Sequence, residues 1–146
     1  MSMGPSGGYE RAVLFLYLRK APIFSLCTDE QLEEVEACSS FEQRQAGDEL
    51  VREGEAGKEL FVVMSGKADV VRGGQQVAAL GPGDVFGELA LFDPAPRNAT
   101  VRAAELLSLV VIGREPFQVL LGRSAAIRNE ILRGMAHRIH QLDARV

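Results

Sequence analysis

Hydrophobic positions change their spacing twice along this chain. Over residues 9–20 the apolar Val13, Leu14, Leu16 and Tyr17 suit a helix, and Pro22 stops it. A second short helix is predicted from Thr28, because Thr28 and Gln31 have the spacing of a capping box and Leu32 and Val35 would face a core. From Phe41 onward the texture becomes short β-type runs broken by glycine at Gly47, Gly54, Gly57, Gly66, Gly73-Gly74 and Gly81-Pro82-Gly83. Closely spaced turns of this kind predict compact antiparallel β structure. Leu60 to Met64 and Ala68 to Val71 flank Ser65-Gly66-Lys67 as a hairpin, and Gln76 to Leu80 and Leu106 to Ile112 supply further strands. After Gly113 helical spacing returns, with Ile127, Ile131, Met135, Ile139 and Leu142 three or four apart on one face.

The fold class that follows is mostly β: a jelly-roll-like β-barrel, or β-roll, over about 40–112, with short N-terminal helices before it and a C-terminal helical pair over about 114–143. A chain of 146 residues with 47% hydrophobic side chains suits one core. Residues 9–146 therefore read as a single domain, and 1–8 (Met-Ser-Met-Gly-Pro-Ser-Gly-Gly) as a flexible start or an appended scar outside it. The net charge of -4 is unevenly spread: residues 29–59 hold eleven acids against three bases, and residues 113–146 hold six arginines against three acids. So sparse a basic tail reads as a solvated helix face and not as a nucleic-acid interface. The apolar stretch Ala12 to Leu18 is far shorter than the ~20 residues a membrane helix requires. Cys27 and Cys38 flank a predicted helix in a chain without a secretory signal, so reduced thiols and a cytoplasmic setting are expected. His137 and His140 stand at i and i+3 with no further ligand at metal spacing, so no metal site is expected.

The chemistry concentrates in Gly83-Asp-Val-Phe-Gly87-Glu88-Leu-Ala-Leu-Phe-Asp-Pro-Ala-Pro-Arg97-Asn98-Ala99-Thr100-Val101, which joins two strand-like runs. Glu88 to Phe92 is long enough for about one helical turn, and Gly87 at its start lets the backbone approach a ligand closely. Amides at the start of such a turn lack intrachain partners and favour an anion. Arg97, ten residues after Gly87, is the natural counter-charge, and its apolar neighbours suggest partial burial, where a guanidinium needs a carboxylate or phosphate. Glu88 suits a sugar hydroxyl. A competing reading pairs Glu88 with Arg97 as a structural clamp that binds nothing.

The segment resembles the phosphate-binding cassette of cyclic-nucleotide-binding domains, as in kinase A regulatory subunits, cyclic-nucleotide-gated channels and the bacterial catabolite activator. The resemblance spans roughly residues 10–143 and is strongest at Phe86-Gly87-Glu88-Leu89-Ala90-Leu91 and Pro96-Arg97-Asn98-Ala99-Thr100-Val101, with turn glycines Gly47, Gly66, Gly81 and Gly83 also in place. It implies that Arg97 grips a cyclic phosphate, that Glu88 takes the ribose 2'-hydroxyl, and that backbone around Phe86, Gly87, Leu89, Ala90, Asn98 and Ala99 completes the cradle. It further implies a cAMP ligand, with cGMP as the alternative, and a sensor that is not itself an enzyme and needs no other cofactor. Two positions depart from the family: Lys58 stands where kinase regulatory domains carry an acid that orients the arginine, and Asn98 follows the arginine where alanine or a hydroxyl residue is usual. Ile131, Met135 and Arg138 on the last helix are candidates for a lid over the purine, while the apolar stripe of Ile131, Met135 and Ile139 reads equally as ordinary core or as a homodimer seam. The output would pass to an effector domain or partner protein. The alternative is a degenerate cyclic-nucleotide fold that scaffolds a partner without a ligand.

Overall fold

The computed structural model describes residues 11–143, so the expected start at 1–8 and the first two residues of the predicted helix lie outside the described residues. Helix α1 covers Arg11–Leu18, a 3-10 turn follows at Pro22–Phe24, and α2 covers Asp29–Glu36. Thr28 caps α2 with the reciprocal bonds of a capping box: its hydroxyl accepts from the Gln31 N–H at 3.2 Å, and the Gln31 side chain accepts from the Thr28 N–H at 2.9 Å. Leu32 and Val35 are fully buried, as their spacing predicts. Leu16 is not. It is 65% exposed while Leu14, Phe15 and Leu18 carry the contact, because the inward stripe of α1 runs through those three positions.

Among the described residues eight strands follow: β1 (Ser39–Arg44), β2 (Glu49–Val51), β3 (Glu59–Ser65), β4 (Ala68–Arg72), β5 (Gln75–Leu80), β6 (Val85–Phe86), β7 (Thr100–Ala103) and β8 (Leu107–Gly113). They form two antiparallel four-stranded sheets, ordered β1-β8-β3-β6 and β2-β7-β4-β5. The expected closed barrel is therefore corrected: the sheets do not join at their edges, and side chains between them close the core instead. The predicted hairpin at Ser65-Gly66-Lys67 is also corrected. β3 and β4 belong to different sheets, and Gly66 (φ +89°) is the corner between them. A Cβ there would overlap the Leu106 carbonyl oxygen and lie 3.0 Å from Leu107 Cα, so the corner packs backbone on backbone. The true hairpin is β4–β5, where Arg72 pairs with Gln75 across Gly73-Gly74, both at positive φ as a two-residue turn of this hand requires.

Strands β3 and β8 are buried on both faces, which is why both read as nearly unbroken apolar runs. Alternation sends Leu60, Val62, Val110 and Ile112 toward the helices, and Phe61, Val63, Leu109 and Val111 toward the second sheet. The helical side is completed by α3 (Arg114–Arg123) and α4 (Ala125–Leu142). Only the first half of the α4 stripe is core: Ile127 and Ile131 are buried, Met135 is half-buried, and Ile139 and Leu142 are 64% and 70% exposed. Gly134 allows α4 to cross the Pro22–Phe24 turn closely, since a Cβ there would overlap the Pro22 carbonyl oxygen.

Candidate functional site

Short strand β6 pairs with β3 through Phe61↔Phe86 and Val62↔Val85, and the Phe61 and Phe86 rings stack with centroids 4.9 Å apart. The chain then reverses at Gly87, whose φ of +83° and ψ of 14° are left-handed, and enters a 3-10 turn over Glu88–Leu91. The backbone returns through Pro96 and Arg97 beside the β2–β3 loop. There the Arg97 N–H donates to the Glu55 carbonyl at 2.9 Å, the Gly54 N–H donates to the Arg97 carbonyl at 2.9 Å, and Ala56 bridges Pro96. Residues 86–99 thus form a loop fastened at both ends to the sheets. Beneath it lies a cavity of about 470 Å³ with walls from Val51, Val70, Leu80 and Val101 of β2, β4, β5 and β7.

All eight residues named from sequence for the ligand, Phe86, Gly87, Glu88, Leu89, Ala90, Arg97, Asn98 and Ala99, line this cavity. The apolar wall was not named in advance. Its signal was strand alternation at Val51, Val70 and Val101, which marks an inward face without saying whether that face meets core or cavity. The Ala90 amide, expected in the cradle, donates to the Gly87 carbonyl at 3.1 Å inside the 3-10 turn. Leu89 is 63% exposed, and Asn98 is exposed with its carbonyl accepting from Arg72 Nε at 3.1 Å.

Arg97 and Glu88 do not pair with each other among the described ion pairs. The Arg97 Nη2 donates to the Glu59 carbonyl at 2.8 Å, and its guanidinium carbon lies 5.9 Å from the Phe61 ring centroid. Its Nε is buried and has no partner. Burial pulls the guanidinium below its ordinary pKa, partly opposed by the Glu59 carboxylate, and it stays cationic at neutral pH. Glu88 Oε2 is likewise buried without a partner. Desolvation pushes the Glu88 carboxyl above the ordinary carboxylate range, against the Ile23 backbone N–H and the charge of Arg138, which act in the opposite direction. Lys58 is exposed and takes no part in holding the arginine; its carbonyl accepts from the Arg114 N–H at 2.8 Å.

A second cavity of about 800 Å³ adjoins the first, sharing Glu88 and Leu89 and reaching Pro22, Ile23, Met135, Arg138 and Ile139. Of the three residues named as a lid, Met135 and Arg138 line this second cavity. Ile131 lines neither, being 2% exposed within the helical core. His137 and His140 are exposed, and among the described residues no group of three or more His, Cys, Asp or Glu is gathered as metal ligands. Cys27 and Cys38 are free thiols; burial pushes the Cys27 thiol up to about 11. Among the described residues no helix is long and apolar enough to cross a membrane.

These features agree with comparisons across known proteins. The sequence profile of the family "Cyclic nucleotide-binding domain" matches residues 41–124, and this chain belongs to that family. It is 38% identical over 106 residues to a cGMP-dependent protein kinase of Toxoplasma gondii, an alignment covering 73% of this chain and 11% of the kinase. The chain therefore spans only a small part of that relative's length. Among solved structures, the N-terminal domain of a transcriptional regulator from Streptomyces coelicolor A3(2) matches 89% of this chain and 95% of its own, at 35% identity and a TM-score of 0.79. The regulatory domain of Toxoplasma gondii PKA, crystallised with cAMP, matches 75% of this chain and 43% of its own, at 34% identity and a TM-score of 0.65. The relatives of this chain also include a cAMP-dependent protein kinase regulatory subunit of Hypocrea atroviridis, 34% identical over 106 residues that cover 73% of this chain and 23% of the relative.

Proposed function

We propose that this chain is a cAMP sensor, not an enzyme, in which Arg97 holds the cyclic phosphate and Glu88 the ribose 2'-hydroxyl. One observation carries the reading. The buried donor Arg97 Nε and the buried acceptor Glu88 Oε2 both lack partners, both side chains line one cavity, and neither turns to the other. A structural clamp would have joined them, because an unpaired buried polar atom costs about 1–3 kcal/mol. A ligand carrying both a phosphate and a free hydroxyl supplies both missing partners at once. The cavity volume falls within the usual range for small-molecule sites.

The preference for cAMP over cGMP is part of the proposal and draws on the cAMP-bound PKA regulatory domain; the cGMP-dependent kinase relative makes cGMP the competing ligand. Signalling would run through α4, with Met135 and Arg138 closing over the nucleotide from the adjoining cavity, to an effector or partner protein in the cytoplasm. Calorimetric titration with cAMP, cGMP and cyclic di-GMP tests the reading. Saturable 1:1 binding of cAMP, tighter than of cGMP, is expected. Tighter cGMP binding would reassign the ligand, and no heat with any of the three would leave a ligand-free scaffold.

A further inference from the structure

Gly57 is buried two residues before the start of β3, and nothing about its backbone requires glycine: it is absent from the residues at positive φ, unlike Gly54 and Gly66. What requires glycine is space. A Cβ at position 57 would overlap Nε and Cζ of Arg97 and lie 2.6 Å from Nη2, so the guanidinium lies flat across the bare Cα. Gly87 also borders the arginine closely, at the Nη1 tip, since a Cβ there would lie 2.6 Å from Nη1 and 2.5 Å from the Glu59 carbonyl oxygen. Two glycines therefore leave room for the guanidinium, Gly57 against Nε and Cζ and Gly87 at Nη1, and the Glu59 carbonyl takes Nη2 at 2.8 Å.

We propose that Gly57 is a positioning residue for nucleotide binding, keeping open the berth in which the Glu59 carbonyl orients the Arg97 guanidinium. This rests on the assignment of Arg97 to the phosphate. The berth fixes which edge of the guanidinium is offered: Nη2 is turned to Glu59, and Nε is left as a buried donor without a partner. The planar, rigid fork of arginine makes this orientation decisive, because a rotated plane cannot meet two phosphate oxygens together. The Glu59 carboxylate also acts electrostatically on Arg97, and both residues line a small cavity of about 200 Å³ with Gly57.

The same geometry separates a positioning role from a structural one. Gly57→Ala puts its methyl against the movable end of a side chain, at a backbone conformation alanine tolerates, so the fold should keep its stability or gain slightly. Arg97 must move. We expect Gly57→Ala to weaken cAMP binding about tenfold or more, the scale of one charge-assisted hydrogen bond, with no fall in the urea midpoint. The two phosphorothioate diastereomers of cAMP, each carrying sulfur in place of one exocyclic oxygen, should be discriminated less by the variant than by the wild type. Gly57→Ser should weaken binding at least as much. The berth is also read without nucleotide, by the Arg97 Nε–H resonance, which should be protected from exchange in the wild type and exposed in Gly57→Ala. Unchanged affinity and discrimination in both variants would overturn the proposal, as would an Nε–H equally protected in Gly57→Ala. A wild type that binds no cyclic nucleotide would defeat the cAMP reading instead, and the resonance would then still decide whether the berth exists.

Discussion

Arg97 and Glu88 have complementary defects, a buried donor and a buried acceptor each lacking a partner, and their substitution separates the two halves of the ligand. Arg97→Ala should reduce cAMP affinity at least about thirtyfold, since removing one member of a buried hydrogen-bonded charge pair costs about 2–5 kcal/mol, while circular dichroism stays unchanged. Wild-type affinity in that variant would end the phosphate assignment. Glu88→Gln should cost less, and 2'-deoxy-cAMP should lose little further affinity in it. Glu88 also gives binding a pH dependence. Its pKa is raised by desolvation, and a sugar hydroxyl donates to the charged form, so binding favours deprotonation and affinity should fall as pH drops, starting at higher pH than for an ordinary carboxylate. Glu88→Gln should flatten that slope; titrations of both proteins at several pH values decide it. Both residues were legible in the sequence as a motif. The space that Gly57 leaves for Arg97 was not, because Gly57 read as one more turn glycine and its purpose exists only where residues forty positions apart meet.

The elements followed the hydrophobic pattern closely, and the errors fell at connections. Apolar runs in β3 and β8 announce burial without stating that alternate residues serve two different cores, so the sequence offered no sign that β3 and β4 part into separate sheets. Glycine at position 66 fits a hairpin and a corner equally well. The structure separates the two by what surrounds each glycine, and this yields a graded prediction. At Gly66 a side chain meets both a left-handed backbone and the Leu106 carbonyl, whereas at Gly73 it meets only the left-handed backbone, with nothing within 4 Å. Gly73→Ala should therefore destabilise the domain by about 1 kcal/mol, and Gly66→Ala by about 2 kcal/mol or more, both read from urea denaturation. Equal losses at the two positions would mean that the corner relaxes and does not constrain how the sheets face each other.

At the scale of the whole molecule, the proposed output route runs from the cavity beneath residues 86–99 to α4. The helix is divided: Ile127, Ile131 and Gly134 anchor its first half against the core and the Pro22–Phe24 turn, and beyond Met135 its apolar residues are exposed. Helical periodicity cannot show where a helix leaves the body it packs on, so the sequence drew one stripe through both halves. The division makes the second half the movable part, because few buried contacts oppose its local opening. Glu88 and Leu89 line both cavities, and Arg138 acts electrostatically on Glu88, so closure of residues 135–142 over a nucleotide would bring Met135 and Arg138 to its open face. Removing residues 137–146 should then weaken cAMP binding several-fold, by loss of contacts worth about 1 kcal/mol, and leave the urea midpoint nearly unchanged because Ile131 and Gly134 remain. Amide exchange in residues 135–142 should slow when cAMP is added to the intact chain. If cassette amides gain protection while exchange in that half of α4 stays the same, the helix is a static support and the signal leaves the domain by another face.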